Sequence, residues 1–359
     1  MSECPAVTLP PKRLLAAICA SVGCIFTLTA CSPGTATPHA DAALVQRSQV
    51  SMGTAIQLSA WTTDEAAAVA AFDRVFLEFD RLDALMSVWK EGSDILRINA
   101  AAGKSAVAVS PEVREALHAS QEVSEWTEGK FDVTFGALSG LWKFDQDIDG
   151  RVPDRSQIAP RLPLINYRAL QIDDRAGTAS LGRAGMQANL GGIGKGYAID
   201  RAVTILRGGG LTDFMIQAGG DMFVAGRRGD RPWRVGLQDP RGEPNTLFAA
   251  IELTDAAFST SGDYERFFMR DGRRYHHILD PDTGEPAQRS RSVTIMAKTS
   301  TLADGLATGV FILGGEQGMA LIEKLPDVEG VIVTADNQVQ VSSGLKGRLI
   351  LLRSPTDAP

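Results

Sequence analysis

The chain has 359 residues, 44% of them hydrophobic and 22% charged, an ordinary globular composition with enough length for a large core in one big domain or two smaller ones. With 43 acidic against 36 basic residues the net charge is −7, and no basic stripe offsets it, which argues against nucleic-acid binding. All four cysteines (Cys4, Cys19, Cys24 and Cys31) fall within the first 31 residues, which excludes a disulfide framework or a thiolate metal site downstream.

The chain opens with Lys12 and Arg13 ahead of an apolar run over 14–28 that ends in Leu28-Thr29-Ala30-Cys31. A basic start, a short apolar stretch and small residues before a cysteine describe a secretory leader over 1–30, with Cys31 lipidated as the new N-terminus. The run is shorter than the roughly 20 apolar residues that span a bilayer comfortably. Residues 31–45, small, polar and Pro-containing, read as a flexible tether, and 46–353 as the globular domain, with a polar tail over 354–359.

Residues 47–61 partly alternate and read as a strand interrupted at Met52-Gly53-Thr54. Thr62 with Glu65 forms a capping box for a helix over 63–88, where Val69, Phe72, Phe76, Phe79, Leu82 and Met86 recur at helical spacing. Ser110-Pro111 opens a second helix. From 160 to 260 short strand-like runs (QANLG, DFMIQAG, MFVAG, WRVGL, LFAAIEL, AAFSTSG) alternate with Gly and Asp-Pro punctuation, around one helix from Lys195 to Arg207. A strand over 291–297, helices over 301–314 and 316–324, and three short strands complete the chain. Clean βαβ units are absent, so the fold class is α+β with mixed or antiparallel sheets and packed helices.

Five segments carry candidate chemistry. In the run from Asn189 to Tyr197, a glycine-rich turn leads into a helix N-terminus, which suits phosphate, and Lys195 adds a charge. It is neither a Walker A loop nor a dinucleotide GxGxxG, since Gly196 and Tyr197 stand at the wrong places, and a plain tight turn explains it equally. Gly219-Gly220-Asp221 is a strand end open to close backbone approach or a bulge. The Ser259-Thr260-Ser261-Gly262-Asp263 cluster suits a polar ligand or a surface turn. His276 and His277 are adjacent, so in a strand only one of them serves a given site. Asp304 and Thr308 share a helix face flanked by Leu302, Leu306, Val310, Phe311 and Leu313. Burying both is costly unless something binds them, and hard oxygens favour Mg²⁺ or Ca²⁺.

In this order these segments resemble the FAD:protein FMN transferase (ApbE-like) family. The match runs from Met52-Gly53-Thr54 through Trp89, Phe131-Asp132-Val133-Thr134, the Lys195 loop, Gly219-Gly220-Asp221, Trp233 to Pro240, Thr260 to Tyr264 and His277-Ile278 to Asp304 and Thr308. The resemblance implies an FAD cleft between two interwoven lobes, lined by Met52, Trp89, Asp132, Asn189, Lys195, His277 and Ile278. It implies Mg²⁺ on Asp304, Thr308 and the carbonyl of Gly192, with His277 and Asp304 catalytic. FMN would pass from FAD to a threonine of exported acceptors, such as flavinylated subunits of respiratory redox complexes, and AMP would leave. The enzyme would sit in the cell envelope, facing the periplasm and lipid-anchored to the inner or outer membrane. Two departures stand out: Asn189 replaces the family's usual Asp, and Gly194 its commoner Ala. FAD hydrolysis to FMN and AMP, and flavin binding without catalysis, are the competing readings.

Overall fold

The computed structural model describes residues 41–144 and 147–358, so the leader and Cys31 lie outside the described residues. Strands β1 (Ala43–Ser51) and β2 (Thr54–Thr62) form a hairpin, with Ser51 opposite Thr54 across the Met52-Gly53 turn. Helices α1 (Glu65–Met86) and α2 (Asp94–Ala100), strand β3 (Val107–Ala108) and helix α3 (Pro111–Trp126) follow. After α4 (Arg155–Ile158) come β4 (Leu170–Asp173), β5 (Thr178–Leu181) and α5 (Gly194–Gly208). Strands β6 (Phe214–Ala218), β7 (Asp221–Ala225), β8 (Trp233–Gln238), β9 (Leu247–Leu253) and β10 (Ala256–Gly262) precede the hairpin β11 (Phe267–Arg270) and β12 (Arg273–His276). The chain closes with β13 (Ser290–Ala297), α6 (Ser300–Leu313), α7 (Gly315–Lys324), β14 (Glu329–Thr334), β15 (Val339–Val341) and β16 (Ile350–Leu351).

Eight strands pair antiparallel in the order β1-β2-β6-β7-β10-β13-β14-β15, and smaller sheets form from β16-β9-β8 and β3-β5-β4. Side chains alternate across the large sheet as the period of two requires. Ile56, Leu58, Phe214, Ile216, Phe223, Val293 and Ile295 point to one face, into the core shared with α1, α3, α5 and α6. Met215, Met222, Val224, Phe258, Met296 and Val331 point to the other, against Trp233, Val235, Phe248 and Ile251 of the small sheet. A third cluster, around Leu138, Trp142, Phe144, Ile158 and Leu279, sits beside the β11–β12 hairpin. The fold is thus α+β, with antiparallel sheets. None of the described helices is long and apolar enough to cross a membrane.

Several boundaries shift. The N-cap of α1 is Asp64, whose side chain accepts from the amide of Ala67, while Thr62 accepts from the amide of Asp64 one step earlier, so no Thr62–Glu65 box forms. Ala43 already pairs with Thr62, so the last residues read as tether belong to the sheet. The segment read as a polar tail is tied down, since Thr356 donates its amide and hydroxyl to Asp239 and the Pro355 carbonyl accepts from Asn337. QANLG is not a strand but an approach to a turn, with an isolated bridge between Gln187 and Phe135 and hydrogen bonds from Ala188 to the Asn99 side chain.

Candidate active site

Helices α5 and α6 meet at their N-termini, and the contact is close because Gly196 has no side chain. A Cβ at Gly196 would lie 2.2 Å from the carbonyl oxygen of Ser300. Asp200, one turn further along α5, accepts from the amides of Ser300 at 2.8 Å and Thr301 at 2.9 Å, and from the Thr301 hydroxyl. This carboxylate caps the start of α6 and fixes the helix that carries Asp304 and Thr308.

Asp304 is 3% exposed and accepts the amide of Gly196 at 3.0 Å. The Lys195 ammonium stands 2.8 Å from Asp221 and 3.6 Å from Asp304. Asp221, at the start of β7, is itself held by the hydroxyl of Ser259. Burial and the nearby Asp221 push the Asp304 carboxyl up to about 7, while Lys195 pulls it back. Burial alone would depress Lys195, yet Asp221 and Asp304 hold it above its ordinary value, so it stays charged. One turn beyond Asp304, Thr308 meets the hydroxyl of Ser261 at 3.3 Å, and a Cβ on Gly192 would reach the Thr308 oxygen at 3.5 Å. The backbone of the glycine loop therefore passes directly over Thr308.

That loop is shaped by Asn189, whose side-chain oxygen accepts from the amide of Gly191 at 2.8 Å and whose own amide donates to Val133. The bond needs an acceptor oxygen and not a charge, so the Asn that departs from the usual Asp preserves the turn. Met52, at φ 49° in the β1–β2 turn, and Met86, at the end of α1, both approach Gly194. Trp89, three residues beyond α1, is 70% exposed.

The two histidines divide as their alternation requires. His276 is 2% exposed and both ring nitrogens are engaged, with the Ala287 carbonyl and the Ile278 amide. His277 follows with its backbone amide on the Arg266 carbonyl and a buried Nδ1 that has no partner among the described residues. Burial, then the Arg266 and His276 charges, drive its imidazole well below its ordinary value, and Lys195 adds to the same effect. His277 is therefore neutral at physiological pH.

The structure thus brings together Gly192, Lys195, Asp304 and Thr308, with His277 within their field and Met52 against the loop. Asp132 and Ile278 are committed elsewhere. Asp132 accepts from the amide and hydroxyl of Thr134 and from the amide of Tyr167, steadying the segment whose Val133 carbonyl holds Asn189. Ile278 is 5% exposed in the main core. Sequence reasoning passed over four residues as site members: Asp221, Ser261, Asp200 and Arg266. Asp221, Ser261 and Arg266 lay inside segments already singled out, the last at the end of the run from Phe258 to Arg266, whereas Asp200 gave no signal of its own. Among the described residues no group of three or more His, Cys, Asp or Glu side chains is placed to hold a metal. Two hard oxygens and a backbone carbonyl suit a cation whose remaining ligands come from water and a substrate phosphate.

A sequence model described as the ApbE family matches residues 52–332. A FAD:protein FMN transferase of Treponema pallidum (strain Nichols) is 34% identical over 340 residues, covering 90% of this chain and 93% of its own. One from Klebsiella pneumoniae (strain 342) is 33% identical, covering 87% and 94%. Among solved structures, the ApbE protein of Thermotoga maritima superposes with a TM-score of 0.79 at 32% identity, over 85% of this chain and 99% of that one. The flavin transferase ApbE of Vibrio cholerae gives 0.78 at 29%, over 86% and 99%.

Proposed function

The chain belongs to the ApbE family, and on that premise we propose that it is a flavin transferase that moves FMN from FAD to a threonine hydroxyl of a partner protein, with Mg²⁺, releasing AMP. The observation that carries the reading is the meeting of the α5 N-terminus, Lys195, Asp304 and Thr308 at one point. The positive end of a helix and a lysine suit a pyrophosphate. Asp304, Thr308 and the Gly192 carbonyl would hold Mg²⁺, which when bound neutralises charge building on the departing phosphate.

The chain's own groups do the rest. Lys195, kept charged by Asp221, orients the pyrophosphate. Neutral His277 takes the proton of the attacking hydroxyl. An oxygen–phosphorus bond forms from threonine to the FMN phosphate, the bond to AMP breaks, and AMP carries away that electron pair. The same reading places the enzyme in the cell envelope, anchored through a lipidated Cys31 and acting on exported acceptors such as flavinylated subunits of respiratory redox complexes. The leader-like 1–30 and the small residues before Cys31 support that placement.

The test incubates the protein with FAD, Mg²⁺ and a candidate acceptor domain, reading in-gel flavin fluorescence after denaturation together with intact mass. A Mg²⁺-dependent adduct absent with Asp304→Ala is the expected result. FMN and AMP without an adduct would make the enzyme a hydrolase, and unchanged FAD across several acceptors would leave binding alone. For the anchor, Cys31→Ser is expected to move the protein from the membrane to the soluble fraction, and an unchanged distribution would refute lipidation.

A further inference from the structure

A second group of cations lies on the far side of Asp263 from the reaction site. Asp263 is two residues beyond Ser261, and it accepts a bidentate pair from Arg241, at 2.7 Å to each oxygen. Arg241 is almost buried, its side chain 8% exposed, and its Nε has no partner among the described residues. Strand β12 brings a second guanidinium to the same place. Arg273 and Tyr275 share one face of β12, where Arg273 stacks on the Tyr275 ring. Arg274 and His276 share the other, and both feel the charges of Asp263 and Arg241. The Arg274 side chain makes no ion pair or hydrogen bond among the described residues. It lies 3.9 Å over the Phe267 ring, and its buried Nε is unpartnered.

The third guanidinium, Arg291, donates to the carbonyls of Ala335 and Thr356 and to Asn337. Its acidic neighbour is Asp357, 3.4 Å away and 82% exposed, which leaves that pair well screened by solvent. Arg241 and Arg291 each have a carboxylate partner, Asp263 and Asp357, and Asp239 is buried beside Arg241, so Arg274 is the guanidinium of this group left without an ion pair among the described residues. Burial first, then Arg241 and Arg291, holds Arg274 below its ordinary value. Buried charge without a counter-charge is costly, and a buried N–H without an acceptor adds to the cost. A bound oxyanion would relieve both, since arginine's planar fork matches carboxylate and phosphate geometry.

We propose that the inner face of the β11–β12 hairpin covers a second oxyanion site, in which Arg274 and Arg241 beside Asp263 take a carboxylate or phosphate that is not the flavin pyrophosphate. This site stands independently of the transferase reading. Arg274 is three residues from His277 and Asp263 two from Ser261, so an anion here lies beside the reaction site. Two sources share the chemistry: a free phosphate-type ion, or an acidic side chain next to the threonine that is modified.

The experiment titrates the full chain with inorganic phosphate and, separately, acetate, in chloride at constant ionic strength, following thermal midpoint and calorimetric heat. It compares wild type with Arg274→Gln, Arg274→Lys and Lys195→Met. Phosphate or acetate should stabilise wild type and Lys195→Met alike. Binding should weaken at least tenfold in Arg274→Gln and less in Arg274→Lys, which also serves if the Gln variant folds poorly. A separate arm measures transfer to an acceptor. A raised acceptor KM with unchanged kcat in Arg274→Gln identifies the acidic side chain as the source, and an unchanged KM with weakened phosphate binding identifies the free ion. Equal binding in wild type and Arg274→Gln, or binding lost wholly with Lys195→Met, would overturn the proposal.

Discussion

Around Lys195 the protein supplies its own counter-charge, with Asp221 at 2.8 Å and Asp304 at 3.6 Å, whereas the carboxylates near Arg274 are taken by Arg241 and Arg291 and leave Arg274 without an ion pair among the described residues. The first region is balanced internally, and its charges are held in place before any ligand arrives. Helix α6 is capped by Asp200, α5 starts against it, and Ser259 locks Asp221. That is the arrangement expected where charge must be stabilised as it develops, because preorganised groups need not rearrange during the reaction. The second region leaves Arg274 on a short hairpin with its buried Nε unpartnered, which suits recognition rather than chemistry. The same difference separates neighbours in sequence: His276 is satisfied at both nitrogens and His277 at neither the buried Nδ1 nor by any counter-charge.

The comparison is most exposed to failure at Asp304. Asp304→Ala is expected to lower the rate of covalent flavin transfer by about a thousandfold or more, since it removes the proposed metal ligand from the electrostatic centre. Far-ultraviolet dichroism should be unchanged. If Arg274→Gln lowered kcat as far, the two regions would be one catalytic site and the distinction would be lost.

His277→Ala comes next, with an expected loss of about a hundredfold in kcat, the usual scale for a positioned acid–base group, and little change in stability. His276→Ala should do the reverse, retaining kcat but costing about 1–3 kcal/mol by leaving the Ile278 amide unpaired and taking one partner from the Ala287 carbonyl. Chemical denaturation alongside steady-state kinetics separates the two, and equal effects would deny the division of roles.

Gly196→Ala probes the junction itself. With a Cβ 2.2 Å from Ser300 O and 2.8 Å from the Cβ of Asp304, the helices must part, at an expected cost of about 1–3 kcal/mol. The Mg²⁺ concentration for half-maximal transfer should rise as well, because Asp304 moves with α6. An unchanged Mg²⁺ requirement would mean that the helix junction does not set the metal site.

How much of this was readable beforehand follows from distance along the chain. Asp304 and Thr308 sit four apart on an apolar helix, so one short stretch of sequence exposes a buried carboxylate and hydroxyl. The glycine loop before α5 is equally local. Asp221 reaches Lys195 only because β7 lies between β6 and β10 in the sheet, a register that no single segment encodes. The Arg241, Arg274, Arg291 and Asp263 cluster draws on four separate segments and had no local pattern to betray it. Helix α2 escaped because seven residues are too few for periodicity to be convincing. The α1 cap went to Asp64 and not Thr62 because both are good caps two residues apart, and the sequence holds no term that ranks them.

The smallest effect separates the charge of Asp304 from its shape. Asparagine keeps an oxygen for the Gly196 amide and removes the carboxylate that burial and Asp221 disfavour. In the folded protein the carboxyl titrates at about 7, against an ordinary value of 3.8, so the unfolded chain gives up this proton first. Stability of the metal-free wild type should therefore fall as pH rises from about 4 to about 7 relative to Asp304→Asn, which has no proton to lose. Below pH 4 the carboxyl is neutral in both states and the two proteins should melt together. Above pH 7 the variant should be the more stable of the two, with the higher thermal midpoint. Adding Mg²⁺ should narrow the gap by stabilising the wild type alone. A gap that does not grow with pH would show that Lys195 already compensates Asp304 fully, and the site would then be a balanced structural pair rather than one holding a charge ready for a cation.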